Sequence, residues 1–221
     1  MNKHLIDIYN DKYQYIGVAE KNVAHSTGLW HRVFTCLVIN SENNKVFLQK
    51  KLPGRYEFER PDYLDISVGG HYKHGELIEQ GVRELHEELG VKVPFNHLIP
   101  LGIRQTSKTL GPNYINNEFQ HIFLLDLNYS LKDFYLSDSE LSGLVEIDLS
   151  EVIALLTGKC NSLKANGMFV TDPAKLKFSD ISITIQDFVP SYLEIDQFYL
   201  RLFLAAKRYI ASKNTDVILL W

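Results

Sequence analysis

The chain has 221 residues, 45% of them hydrophobic and 23% charged, enough for one large domain, or a domain with an extension, built around a sizeable core. Its net charge of −4 and pI near 6.1 lack the basic excess of chains whose main partner is nucleic acid or an anionic membrane. No apolar run approaches the roughly 20 residues that span a bilayer.

The opening stretch, MNKHLIDIYNDKYQYIG, carries acidic residues and no continuous apolar segment, unlike a signal peptide. Cys36 sits inside an apolar run and reads as a buried thiol rather than half of a disulfide with Cys160. A cytoplasmic location is expected.

Leu5 to Tyr9 and Tyr13 to Val18 read as two short strands joined around Asn10-Asp11-Lys12. Glu20 to His25 reads as a helical turn ended by Ser26-Thr27-Gly28. Trp30 to Asn40, with Val33, Phe34, Cys36, Leu37, Val38 and Ile39, is a dense β-favouring run, and Lys45 to Lys50 returns as its hairpin partner. Lys51 to Asp65 is charged, carries Pro53, Gly54 and Pro61, and reads as a surface loop. Leu64 to Gly69 follows as a short buried strand.

Strands are expected at Leu98 to Ser107, Phe119 to Leu127 and Gly143 to Ile147, and a helix at Leu149 to Thr157. Lys159 to Pro190 has weak periodicity, with a turn at Asp172-Pro173. Leu193 to Ser212 reads as one amphipathic helix, with Ile195, Phe198, Leu202, Ala205, Ala206 and Tyr209 forming a stripe that suits a core or a homodimer face better than a membrane. The resulting fold class is α/β (α+β), a mixed β-sheet sandwiched between helices.

The chemistry is concentrated in Gly70 to Val91, GHYKHGELIEQGVRELHEELGV. At about 100° per residue, Glu84, Glu87 and Glu88 share one helical face, while Ile78, Val82, Leu85 and Leu89 fall together on another. One helix can therefore bury an apolar stripe and present three carboxylates to a cleft. Glutamates at this spacing repel by a few tenths of a kcal/mol and alone would form only a solvated face. Gly69 and Gly70 before them permit close backbone approach, and Gly90 after them suits a left-handed cap. Clustered hard oxygen donors suit Mg2+ or Mn2+, which keep open positions for phosphate oxygens.

This stretch resembles the Nudix box, in which a glycine and a glutamate precede the run Arg-Glu-U-x-Glu-Glu-x-Gly-U, with U aliphatic. Gly70, Glu76, Arg83, Glu84, Leu85, Glu87, Glu88, Gly90 and Val91 match in order. The segment Leu77 to Val82 between Glu76 and Arg83 is one residue shorter than the pattern, which puts the role of Glu76 in question and leaves the glutamate spacing intact. The resemblance implies a Nudix hydrolase domain over residues 1–158, with residues 159–221 a C-terminal helical extension packed on it.

Gly28-Leu29-Trp30-His31-Arg32 and Asp65-Ile66-Ser67-Val68-Gly69-Gly70-His71 look like the isopentenyl-diphosphate isomerase branch of the superfamily. His31 and His71 match two of that enzyme's metal ligands and His25 a third, with the spacing from His25 to His31 off by one, and Glu118 matches its catalytic, metal-binding glutamate. A preceding metal glutamate falls on Asn116, and the cysteine that moves protons at carbon is replaced by Gly69. An isolated histidine can equally be a hydrogen-bonded scaffold residue.

The resemblance implies a metal-dependent pyrophosphohydrolase acting on a small-molecule diphosphate linked to a nucleoside, a thiamine-like heterocycle or a terpenoid. Glu84, Glu87, Glu88 and the Gly70 carbonyl would hold Mg2+ or Mn2+. Glu118 is the favoured base for the attacking water, with Glu87 or Glu88 as alternatives, and Arg83 would orient a box carboxylate. Lys50, Arg55, His71 and Arg104 are candidate substrate contacts, with Lys51 and Arg60 near the same loop, and Trp30, Tyr56, Phe58 and Tyr114 are candidate stacking surfaces. The rival expectations are an isomerase-like enzyme and a non-catalytic nucleotide-sensing module.

Overall fold

The computed structural model describes residues 4–52, 63–136, 141–172 and 175–213. A hairpin of β1 (Leu5–Tyr9) and β2 (Tyr15–Glu20) leads into a short helix α1 (Lys21–Thr27) and then the long strand β3 (Trp30–Asn40). Next come β4 (Lys45–Lys51), β5 (Leu64–Asp65), β6 (Val68–His71), a 3-10 turn at Ile78–Val82 and helix α2 (Arg83–Leu89). The long hairpin of β7 (Ile99–Gly111) and β8 (Tyr114–Asp126) is followed by β9 (Leu141–Asp148) and α3 (Leu149–Leu156). A last hairpin, β10 (Leu163–Asp172) and β11 (Lys175–Ile183), precedes α4 (Pro190–Glu194) and α5 (Phe198–Ser212).

The hub is β3, which pairs antiparallel with β1, β4 and β6 and parallel with β8. Its residues alternate between two cores, as the two-residue period of a strand requires. Phe34, Cys36 and Val38 pack with Leu85 and Leu89 of α2, together with Phe47, Phe123 and Leu125. Leu37 and Ile39 pack on the opposite face with Val152 of α3 and Phe198, Leu202 and Phe203 of α5. Both cysteines are free thiols, and Cys36 is buried. Leu85 and Leu89 are fully buried, each worth about 1.5–3 kcal/mol against exposure, so α2 is anchored by the apolar stripe read from the sequence.

Several expectations shift, among them the one strand read over Leu64 to Gly69, which is two, β5 and β6. The strand expected from Phe119 begins at Tyr114, because the polar segment ahead of it is held by pairing with β7 rather than by an apolar pattern. Weakly periodic residues after Lys159 form β10 and β11, whose hairpin joins the sheet through β9. Most of β11 is exposed, so it carries no one-sided pattern to read. The single C-terminal helix is broken into α4 and α5 by Gln197, which adopts a left-handed φ of 53°.

Candidate active site

The first half of the site is the α2 carboxylates against β6. Val68 faces the α2 core, so Gly70, two residues on, faces α2 as well. A Cβ at Gly70 would fall 2.2 Å from Oε1 of Glu84, so glycine is required for the carboxylate to lie against the strand. The Gly69 N–H donates to Oε2 of Glu88 at 3.3 Å. Gly90 closes α2 at φ 71°, its N–H donating to the His86 carbonyl.

Arg83 gathers the acidic groups. Its Nε and Nη2 donate to the two oxygens of Glu76 at 2.6 and 3.0 Å, and Nη1 donates to Glu84 at 2.7 Å and Glu87 at 2.9 Å. Nη2 also donates to the His71 carbonyl at 2.8 Å, tying α2 to the end of β6. The repulsion among the glutamates is offset by this cation, with Lys73 Nζ adding a longer contact to Glu87 at 3.4 Å. Burial pushes the Glu84 carboxyl above its ordinary value, against the pull of Arg83.

The shortened box keeps its Glu76–Arg83 pair. Ile78–Val82 forms a 3-10 turn, which advances about 2.0 Å per residue rather than 1.5 Å, so fewer residues cover the distance. Gly81 lets that turn lie on the sheet, since a Cβ there would meet Phe34 at 2.6 Å and the Tyr72 hydroxyl at 2.7 Å. Arg32 braces the loop from below, donating to the Glu76 carbonyl at 2.7 Å and to Asp7 at 3.2 Å.

The second half lies on the opposite face of β6 and β3. His25, His31 and His71 place one ring nitrogen each within 4.8 Å of one another, with His25 Nε2 and His71 Nε2 only 3.1 Å apart. His25 is delivered by α1, whose left-handed cap at Gly28 is fixed by the Asn117 amide donating to the Gly28 carbonyl at 2.6 Å. Tyr114 stacks on the His25 ring at 4.5 Å and 8°.

The Leu29 carbonyl can only accept, so His31 Nδ1 donates to it at 2.8 Å. That leaves Nε2 of His31 as a bare, buried lone pair with no hydrogen-bond partner. Burial lowers His25 and His31 to about 4 and His71 well below its ordinary value. All three imidazoles are therefore neutral near pH 7, the form that ligates a metal.

Glu118 sits beside His31 in the parallel β3–β8 register and is buried. Gln120 Nε2 donates to its Oε2 at 2.7 Å. Burial raises the Glu118 carboxyl above its ordinary value, with the Gln120 bond opposing. The two halves of the site are separated at Gly69 and Gly70 by backbone alone, since neither residue has a side chain on either face.

The structure thus brings Gly70, Glu76, Arg83, Glu84, Glu87 and Glu88 to one place and His25, His31, His71 and Glu118 to the adjoining one. Lys50 follows Val46 and Leu48 towards the α5 face at the end of β4 and is half-buried. Arg104 does not face open solvent: it is 2% exposed, bound bidentately to Asp196 and once to Gln120. Trp30 packs on Phe119 at 5.0 Å. Arg55, Tyr56, Phe58 and Arg60 lie outside the described residues. Sequence reasoning missed Gln120 and Asp196, for which no motif exists, and Gly81, whose helical position hides a packing requirement.

A family model described as NUDIX domain matches residues 29–162. An uncharacterised Nudix hydrolase of Clostridium acetobutylicum is 36% identical over 193 residues, covering 86% of this chain and 92% of its own length. An isopentenyl-diphosphate Delta-isomerase of Photorhabdus laumondii is 30% identical over 49% of this chain and 59% of its own. A prenyl-diphosphate phosphatase of Methanosarcina mazei is 29% identical over 39% of this chain and 49% of its own. A crystal structure from Deinococcus radiodurans shares the fold, with a TM-score of 0.51 and 21% identity over 70% of this chain and 89% of that one. With box, fold and full-length relative in agreement, the chain belongs to the Nudix hydrolase family.

Proposed function

We propose that this Nudix hydrolase cleaves an organic diphosphate with the help of divalent metal, and that its substrate is an isoprenoid diphosphate. The observation that carries the reading is the Glu84 carboxylate lodged against Gly70, with Arg83 joining it to Glu76 and Glu87. These carboxylates fit Mg2+ or Mn2+, and the three neutral imidazoles, with the bare Nε2 of His31, fit a transition ion such as Mn2+ or Zn2+. Bound metal would supply charge neutralisation on the diphosphate and an acidified water.

The chain's own residues do the rest. Glu84, Glu87, Glu88 and the Gly70 carbonyl hold the cation side of the site, and Arg83 fixes the carboxylates in register. Glu118 takes the proton of the attacking water, as its burial and its single oriented donor suit a base poised upward of an ordinary carboxylate. His71 and Lys50 would be the contacts to the diphosphate. The isoprenoid preference is supported by the similarity to the Methanosarcina phosphatase and by the histidines and Glu118 grouping as the isomerase resemblance implies.

Isomerisation itself is disfavoured, because Gly69 offers no side chain for protonation at carbon. The test is Mg2+-dependent phosphate release from dimethylallyl, geranyl, nucleoside and thiamine diphosphates, with isopentenyl diphosphate in D2O as the isomerase arm. Release from the prenyl substrates without deuterium incorporation is expected. Turnover confined to nucleotides would overturn the substrate, and deuterium incorporation would overturn the reaction class.

A further inference from the structure

Glu118 is held by a line of polar groups, buried at Gln120 and Arg104, that ends at the part-buried Asp196 between α4 and α5. Asp196 accepts from Arg104 Nε at 2.7 Å and Nη2 at 2.8 Å. Arg104 Nη1 donates to Gln120 Oε1 at 2.8 Å, and Gln120 Nε2 donates to Glu118 Oε2 at 2.7 Å. Arg104 has only N–H groups to offer, so it dictates which end of the Gln120 amide faces it. The NH2 group is thereby left to point at Glu118.

Every link is fixed by the fold. Arg104 and Gln120 are cross-strand partners in the β7–β8 hairpin, and Gln120 and Glu118 alternate onto the same face of β8. The guanidinium carbon lies 4.3 Å from the Phe198 ring centroid and 5.3 Å from that of Tyr192. Asp196 owes its position to the left-handed turn at Gln197 between α4 and α5, beyond the stretch matched by the family model.

We propose that Asp196, acting through Arg104 and Gln120, is a positioning residue for Glu118, so that the turn between α4 and α5 forms part of the catalytic apparatus. The idea rests on the reading of Glu118 as a site carboxylate and goes beyond it by assigning a task to the C-terminal segment.

Two measurements on Asp196→Asn test it in the full chain. In its crystal structure, the Gln120 amide and the Glu118 carboxylate should leave the positions described here while β7 and β8 stay in place; an unmoved Glu118 overturns the proposal. In turnover of geranyl diphosphate with Mg2+, kcat should fall on the order of 10- to 100-fold with KM changed less than about twofold. The Asp196→Asn, Glu118→Gln double variant should be no slower than Glu118→Gln alone, because both changes remove one function. Losses that multiply would show a general structural role and overturn the proposal. If the unaltered chain turns over none of the diphosphates yet Glu118 moves in the crystal, the assigned reaction falls and the positioning stands.

Discussion

Two adjacent glycines carry opposite expectations. At Gly70 an added Cβ would overlap the Glu84 carboxylate at 2.2 Å, whereas at Gly69 its nearest heavy atom, the Phe34 carbonyl oxygen, is 3.7 Å away. Gly70→Ala should therefore cost about 1–3 kcal/mol and displace Glu84, while Gly69→Ala should unfold within about 0.5 kcal/mol of the natural chain. Urea denaturation of both variants checks this, and equal losses would mean that the carboxylate does not lie against the strand. Glu76 gives a pH test. Burial alone would raise its carboxyl, but the bonds from Arg83 and the Lys73 N–H outweigh that and hold it below its ordinary value. A depressed acid stabilises the fold fully above its unfolded value of about 4.3 and loses that contribution as pH falls through the lower, folded value. The stability gap between the natural chain and Glu76→Gln should thus be constant from pH 7 to 5 and close below about 4. A gap that persists unchanged at pH 3 contradicts the ion pair.

At the scale of elements, α2 and α5 clamp the sheet from opposite sides. Leu202 is fully buried on the α5 side, so Leu202→Ala should cost about 2–5 kcal/mol by thermal or urea unfolding. A loss below 1 kcal/mol would mean that α5 is not part of the core. The acidic helix, its glycine cap and the central strands were legible because each carries a strong local signal: heptad-like spacing in α2, a dense β-branched and aromatic run in β3. The β10–β11 hairpin was not: most of β11 is exposed, and β10 buries only Leu163 and Ala165 on one side before Met168 turns to the other core, too little for a readable alternation. The break at Gln197 was hidden for another reason. Ile195 and Phe198 continue a helical stripe, and the left-handed Gln197 between them carries no local signal of the turn. Arg104 itself looked like a substrate contact because a lone arginine in a strand advertises charge and not its buried partner.

Across the whole molecule, β6 divides two kinds of ligand: carboxylates on the α2 side and imidazoles on the α5 side, with Gly69 and Gly70 leaving only backbone between them. The box residues could be paired in advance because their order is local, whereas the histidines come from α1, β3 and β6 and meet only through the β3–β6 register and the capped end of α1. The division predicts two separable metal environments. Co2+ added to the protein should give visible absorption bands that His31→Ala abolishes and Glu87→Gln leaves in place; bands insensitive to His31→Ala would remove the histidines from the metal chemistry. The central claim, that the α2 carboxylates run the hydrolysis, is tested most directly by phosphate release from geranyl diphosphate under saturating Mg2+ in the natural chain and in Glu87→Gln. Glu87 is half-exposed and its carboxylate meets Arg83 and Lys73, so the isosteric substitution should leave the fold intact. The prediction is a loss on the order of 100-fold or more in kcat at unchanged unfolding midpoint; turnover within threefold of the natural chain would contradict it.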